Sequence, residues 1–441
     1  MNYHKEYKYL IEHNFSECIE DAAQLRRRIE NSTAHYHGFT VHTLYMPKLY
    51  SREDLARLEK AAVTTHRILC KVTERYISDP DYRALFGFDK RLEELILHKP
   101  LHSCTLPIAR IDIFYDPETG GFKFCEFNTD GSSGMNEDRE LCNAFESSVT
   151  FRRFSENHSL HRFELFDSWV KEFMAIYDSS PNAKEKPYIA IADFMSSASN
   201  EEFEEFSRAF ARAGLECEIC DIYKLSRGES GGLISPSGRR IDAVYRRAVT
   251  CDIMENYDKV KPFIDAYLND ETVLIGDFRT QIAHNKLIFR ILGDDMTRAF
   301  LTDEENEFIS AHIPETHVLT HDNIHRFNVI EDRFGWIVKP MDSYASKGVF
   351  AGIEARSTEE WLSFLARHMD TGYLLQRYVT PCETENIDLV WDENADFRRF
   401  ANITGMFVYN GRLAGLYSRT AKTGVISTQY SEMTLPTMIA D

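Results

Sequence analysis

A chain of 441 residues is too long for one small core and calls for two or three packed subdomains. With 43% hydrophobic and 27% charged residues it falls among ordinary globular proteins, neither disordered nor fibrous. Lys and Arg number 51 against 70 Asp and Glu, a net charge of −19 that repels nucleic-acid backbones and anionic lipid and draws in cations and polyamines. No basic stretch is long enough to reverse this, so no nucleic-acid partner is expected. The charged N-terminus has no apolar core of a secretory signal, and no apolar run approaches the roughly 20 residues that span a bilayer. Nine scattered cysteines suit a reducing compartment, so a cytoplasmic protein without a membrane partner is expected. Cys217 and Cys220 stand alone in an alternating stretch, without the second pair a metal site needs.

In chain order, residues 4–30 and 51–78 carry helical periodicity. In the second stretch Ser51 is the N-cap and Leu55, Leu58, Ala62 and His66 share a face. Residues 106–116 and 122–128 form a hairpin around PETGG, and helical segments run on to about residue 177. The polar, Pro-containing stretch 179–187 is the best boundary. Beyond it, strands at 188–192, 215–219, 241–246 and 272–276 alternate with helices, which predicts a parallel βαβ layer. Ser199 and Glu202 form a capping box there, and Gly214 closes the helix they open. The first strand-to-helix turn lacks G-x-G-x-x-G, which argues against a dinucleotide site. From about residue 286 the pattern is α+β. It comprises strands at 336–340, 348–353 and 373–379, a capping box at Ser357 and Glu360, and a hairpin over 402–419 turning at Asn410-Gly411.

The first hairpin carries the chemistry. Ala109, Ile111, Ile113 and Tyr115 alternate with Arg110, Asp112 and Phe114, so Arg110 and Asp112 share the polar face. A loop over 117–121 pairs Asp116 with Phe122, sets Asp112 opposite Glu126 and Arg110 opposite Asn128, and puts Phe124, Glu126 and Asn128 on one face. Facing carboxylates repel, so a cation belongs between them. Two carboxylates and an amide are the hard oxygen donors that Mg²⁺ or Mn²⁺ prefers, with substrate phosphates completing the shell; a solvated polar ribbon is the alternative. The Gly- and Ser-rich loop 129–136 offers backbone N–H groups to an anion.

Basic residues follow in the rear half. Lys286 precedes an apolar helical run, and Lys339 ends an apolar strand, where a lysine is costly without an anion; for each the alternative is a lysine snorkelling from a strand or helix end. Lys347 sits in the small-residue loop 343–348. Gln376, Arg377, Tyr378 and Val379 read as an aromatic and basic edge suited to adenine, with Glu383 or Glu385 as ribose contact, or equally as a buried strand entering a loop. Arg419, after the last hairpin strand, can clamp an anion bidentately. His35 and His37, and His312, His317, His321 and His325, have metal-like spacing, but Pro314 and a strand-like run separate the second set, so no zinc site is expected.

Together, R-x-D (Arg110, Asp112), E-x-N (Glu126, Asn128), YRR (Tyr245, Arg246, Arg247), N-K (Asn285, Lys286), VKPMDSYASKGV at 338–349, LLQRYV at 374–379 and the arginine of GLYSRTA (Arg419) resemble the ATP-grasp superfamily. Within it they are similar to the circularly permuted group that includes the synthetase domain of glutathionylspermidine synthase, because the carboxylates here precede both lysines. The resemblance covers residues 100–430 and implies an α/β fold of α+β character. It divides into N-terminal helices plus the carboxylate hairpin (1–178), a βαβ pre-ATP-grasp or substrate subdomain (188–282), and a lysine half with lid and adenine edge (283–441). It implies an ATP-dependent ligase joining a small-molecule or peptide carboxylate to an amine through an acyl phosphate, and the acidic surface favours a cationic amine. Asp112, Glu126 and Asn128 would bind Mg²⁺, Lys286, Lys339 and Lys347 the phosphates, and residues 376–379 the adenine. Arg110 and Arg419 would steady the transferring phosphoryl group and the oxyanion, and 343–348 would close as a lid. Ala345 and Ser346 stand where the family's loop has glycines. No amidase segment precedes the hairpin, so a synthetase alone is expected. The alternatives are a nucleotide-binding pseudoenzyme or partner-binding subunit, and a metal hydrolase without ATP.

Overall fold

The structure, a computed structural model, describes residues 3–36, 38–196, 198, 200–343, 347–426 and 432–441. Its centre is an antiparallel sheet in the order Met433–Leu435, Arg412–Ala421, Arg398–Tyr409, Ile108–Tyr115, Phe122–Asn128, with Glu383–Asn386 also paired to Arg398–Tyr409. The helix Arg52–Ser78 lies across one face. Leu58, Ala62, Leu69 and Val72 bury their side chains against Ile111, Ile113, Met406 and Leu416, one apolar stripe meeting the inward residues of three strands. Ser51 caps this helix, as its sequence predicts, and Asp54 returns a bond to the Ser51 N–H, completing a capping box. The N-terminal helical stretch breaks at Asn14 into Tyr3–His13 and Phe15–Glu30. No helix among the described residues is long and apolar enough to cross a membrane.

The βαβ layer is present as a parallel sheet ordered Val273–Ile275, Ala243–Arg246, Tyr188–Asp193, Glu216–Asp221. Alternate residues face two cores: Ile189, Ile191 and Tyr245 meet Phe203, Phe206 and Phe173, while Ala190, Val244 and Leu274 meet Phe263 and Ile264. Gly214, at φ +77°, leaves the helix Asn200–Arg212. The capping box proposed for that helix involves Ser199, outside the described residues, and the Glu202 carboxylate bonds elsewhere.

A third, antiparallel sheet runs Thr316–Val318, Tyr373–Arg377, Trp336–Pro340, Phe350–Ala351, under the helix Thr358–His368. The strand expected over 348–353 is only the pair Phe350–Ala351. Ser357 accepts from the Glu360 N–H at 3.2 Å, but the Glu360 carboxylate turns to Arg356, so the reciprocal half of that box does not form. At the last hairpin Asn410 and Gly411 both have positive φ, 44° and 85°, as a two-residue turn of this twist requires. Arg419 lies within the strand Arg412–Ala421 and not after it.

In the carboxylate hairpin the expected pairs Asp112 with Glu126 and Arg110 with Asn128 are present, but the route differs. The turn pairs Tyr115, not Asp116, with Phe122, and a bulge between Asp112 and Ile113 takes up the extra residue, Cys125. The bulge breaks the simple alternation: Phe124 and Phe127 both enter the core, their rings 5.2 Å apart, and Phe124 does not share a face with Glu126 and Asn128.

Candidate active site

The three sheets meet around a cleft of about 800 Å³. Asp112 forms its fully buried floor. Its Oδ1 accepts from Arg110 Nε at 2.9 Å, and its Oδ2 from Arg419 Nη2 at 2.5 Å, Arg110 Nη2 at 3.1 Å and Asn128 Nδ2 at 3.1 Å. Arg110 also donates to the Ser133 carbonyl at 2.6 Å, and Arg419 pairs with Glu432 at 3.1 Å. Asp112 is therefore the shared counter-ion of two guanidinium groups. The mid-strand Gly405 makes room for this: a Cβ there would stand 2.9 Å from Asp112 Oδ1 and 3.0 Å from the Arg110 side chain.

Glu126 lies above, toward the cleft. Lys286 Nζ is 3.6 Å from its Oε2, and Asn128 Nδ2 donates to its Oε1 at 3.3 Å. Burial alone pushes its carboxyl up, but Lys286, Arg419, Arg110 and Lys339 together outweigh that and hold it well below the usual carboxylate range. Lys286 is fixed by its N–H to the Met341 carbonyl at 2.8 Å and by Nζ to the Ser343 carbonyl at 2.6 Å. Lys339 Nζ donates to Gln376 Oε1 at 2.8 Å and to the Cys125 carbonyl at 3.3 Å. Gln376 is held in turn by Thr316, at 2.9 Å.

Every residue singled out from sequence for catalysis, phosphate, adenine or metal, apart from Asp112 beneath, lines this one cleft, Lys347 and Val379 included. Residues separated by more than 150 positions have come together: Lys286 on Glu126, Lys339 on Cys125. Beside Gln376, the apolar side chains of Ile337, Val349 and Val425 with Tyr378 form a slot. The Arg377 guanidinium is engaged outward, 4.1 Å over the Trp336 ring and paired with Asp332 at 2.6 Å. Glu383 and Glu385 pair with Arg399 and Lys8. Of the lid expected over 343–348, residues 344–346, Ala345 and Ser346 among them, lie outside the described residues.

In the loop at 129–136 three N–H groups, those of Gly134, Met135 and Asn136, are taken by Glu202 Oε2 at 3.0, 2.8 and 3.4 Å, while Gly131, Ser132 and Ser133 line the cleft. The YRR motif is scaffolding. Arg246 pairs with Asp130 at 2.5 Å and Arg247 with Glu202 at 2.8 Å, all four side chains buried. His312 and His317 stack on Phe122 and Phe327, centroids 3.8 Å apart in each case, and His37 is outside the described residues. Glu137, Glu432 and Asp193, which line the cleft, carry no spacing signal in the sequence; Gly405 could have been flagged as a glycine inside an apolar strand.

The solved structure of a glutathione synthetase-like effector from Globodera pallida aligns over 95% of this chain and 96% of its own, at TM-score 0.60 and 12% identity. This chain shares that protein's fold. A candidate γ-glutamylcysteine synthetase from Methylobacillus flagellatus aligns over 88% of this chain and 89% of its own, at 10% identity and TM-score 0.44. A D-cycloserine synthetase aligns over 57% of this chain and 91% of its own, at 15% identity and TM-score 0.30. No protein-family model and no curated protein matches the chain.

Proposed function

We propose that this protein is an ATP-dependent carboxylate–amine ligase of the circularly permuted ATP-grasp type, working through an acyl phosphate. The observation that carries it is the meeting of the carboxylate hairpin with two buried lysines from the rear of the chain in one cleft. The fold shared with a glutathione synthetase-like protein supports it. In this reading 1–178, 188–282 and 283–441 supply the carboxylate half, the substrate layer and the lysine half.

The cleft-facing donors Glu126 and Asn128 are hard oxygens that suit a small divalent cation, while both oxygens of Asp112 are engaged by Arg110, Arg419 and Asn128. Among the described residues no three His, Cys, Asp or Glu side chains gather as a metal site, so the shell would need phosphate oxygens from a nucleotide. Glu126 and Asn128, with Asp112 beneath, would hold Mg²⁺ or Mn²⁺, which when bound neutralises phosphate charge. Lys286 and Lys339 are fixed donors for phosphate oxygens, and Lys347 borders the same space. The slot beside Gln376, Arg377, Tyr378 and Val379 takes the adenine against apolar walls. Arg110 and Arg419 are already oriented by Asp112, so they can meet a transferring phosphoryl group or an oxyanion without reorganising.

Mixing the protein with ATP, Mg²⁺ and pooled amino acids, peptides and polyamines should release ADP only when an acid and an amine are present together. Nucleotide binding with no substrate-dependent ADP from any pool points instead to a pseudoenzyme. Gly405→Ala should lower kcat/KM by roughly 10- to 100-fold, because it displaces the Arg110–Asp112 pair by a fraction of an ångström, while melting within a few degrees of the parent. Steady-state kinetics beside a thermal melt would check this.

A further inference from the structure

The first turn of the helix Met135–Phe145 presents three consecutive polar side chains, and two are tied down. Asn136 donates to the Thr33 carbonyl at 2.7 Å, and Asp138 accepts from the Thr437 N–H at 2.9 Å. Glu137, between them, lines the cleft, is only 6% exposed, and its Oε2 has no hydrogen-bond partner among the described residues. A buried polar atom facing a cavity without a partner asks for one from the ligand. Its surroundings specify the kind. Glu202 from the helix Asn200–Arg212 and Glu432 make the neighbourhood negative, Arg110 from the central strand tempers it, and the rings of Tyr36 and Tyr417 border it. An ammonium group satisfies this site: it donates hydrogen bonds to a carboxylate and sits well against aromatic rings.

We propose that Glu137 is the base that receives the acceptor amine and takes its proton. This rests on the ligase reading above. An acyl phosphate is attacked by a free amine, whereas an aliphatic amine arrives as R–NH₃⁺. The Glu137 carboxylate removes one proton. The nitrogen lone pair then forms the C–N bond as the bond from the acyl carbon to the phosphate oxygen breaks, and phosphate leaves with that electron pair. The second nitrogen proton goes to the departing phosphate, giving amide, hydrogen phosphate and protonated Glu137. Burial, and after it the nearby Glu202 charge, pushes the Glu137 carboxyl up to about 8, close to where a base for an ammonium is effective.

Hydroxylamine separates the two half-reactions, because it is largely uncharged at neutral pH and traps acyl phosphates as hydroxamates. With ATP, Mg²⁺ and the pooled acids, Glu137→Gln should form hydroxamate within about twofold of the parent. Its amide formation with the pooled amino acids and polyamines should fall by about 10²- to 10⁴-fold. In the parent the amide rate should rise with pH to about 8; the variant should lose that limb, and Glu137→Asp should keep part of it. Equal loss of hydroxamate and amide, or retention of both, overturns the assignment to Glu137. A parent that forms no hydroxamate from any acid overturns the ligase reading itself, and the base with it.

Discussion

Glu126→Gln should abolish ADP formation, by at least about 10³-fold, in a protein that remains folded. The carboxylate stands opposite Asp112 at the point where a bulge turns it toward the cleft, and four cationic side chains keep it ionised against its burial. Glutamine preserves its shape and its contact with Asn128 but deletes the charge, leaving Lys286 without its anion and a divalent ion without its cleft-facing carboxylate. Hydroxamate and amide formation should fall together, unlike in the Glu137 variant. The effect on stability has a defined sign. Because the folded pKa lies below the unfolded one, the charge stabilises the native state above the ordinary glutamate pKa of about 4.3, and this is lost as pH falls through the lower folded value. The variant should thus melt a few degrees below the parent at pH 7, with the gap closing in acid. Thermal melts at several pH values and near-ultraviolet circular dichroism would check the fold. Parental turnover would place the reaction elsewhere.

How much of this could be read from sequence follows from the range of the interactions. Strand alternation is a local property, so Arg110 and Asp112 fell on one face; the loop length set the turn one residue off, and the pairing with Glu126 and Asn128 came out as expected because the bulge offsets that shift. The bulge at Cys125 was not legible, because it depends on how Phe124 and Phe127 both find the core, which no two-residue period encodes. Lys339 stood out as an ammonium at the end of an apolar strand and Lys286 as one before an apolar helical run; their contacts with Glu126 and Cys125, more than 150 residues earlier, are not encoded locally. The two arginines of YRR, which the resemblance picked out without a role, pair with buried carboxylates, Asp130 and Glu202, that lie far off in sequence. Glu202 looked like a helix cap: a local pattern explained it, while its carboxylate reaches the start of another helix. Glu137 had no pattern at all, since what distinguishes it, an Oε2 with no hydrogen-bond partner among the described residues, exists only in three dimensions.

Arg246→Met should destabilise the protein by about 3–5 kcal/mol, the largest effect expected of any single change considered. The Arg246 guanidinium is almost wholly buried and every part of it is used. It pairs with Asp130 at 2.5 Å and donates to the carbonyls of Gly276, Ala248 and Asp277 and to the hydroxyls of Thr250 and Thr280. It thereby fastens the loop after the carboxylate hairpin to two strands of the parallel sheet. Methionine fills much of the space but leaves Asp130 buried without this counter-ion. In the parent, burial raises the Asp130 carboxyl, but Arg246, followed by His284 and the Thr250 N–H, brings it below its ordinary value. The stabilisation is thus present above the unfolded pKa of about 3.9 and is lost as pH falls through the folded one. In the variant burial dominates, the carboxyl shifts upward, and protonation relieves part of the penalty. The difference in urea midpoint between parent and variant should therefore be greatest near neutrality and narrow toward acid. Adding Asp130→Asn should recover part of the loss, because the amide removes the stranded charge. The same loop carries the Ser133 carbonyl that orients Arg110, so turnover should fall along with stability. A variant as stable as the parent at every pH would show that this buried pair does not hold the hairpin to the sheet.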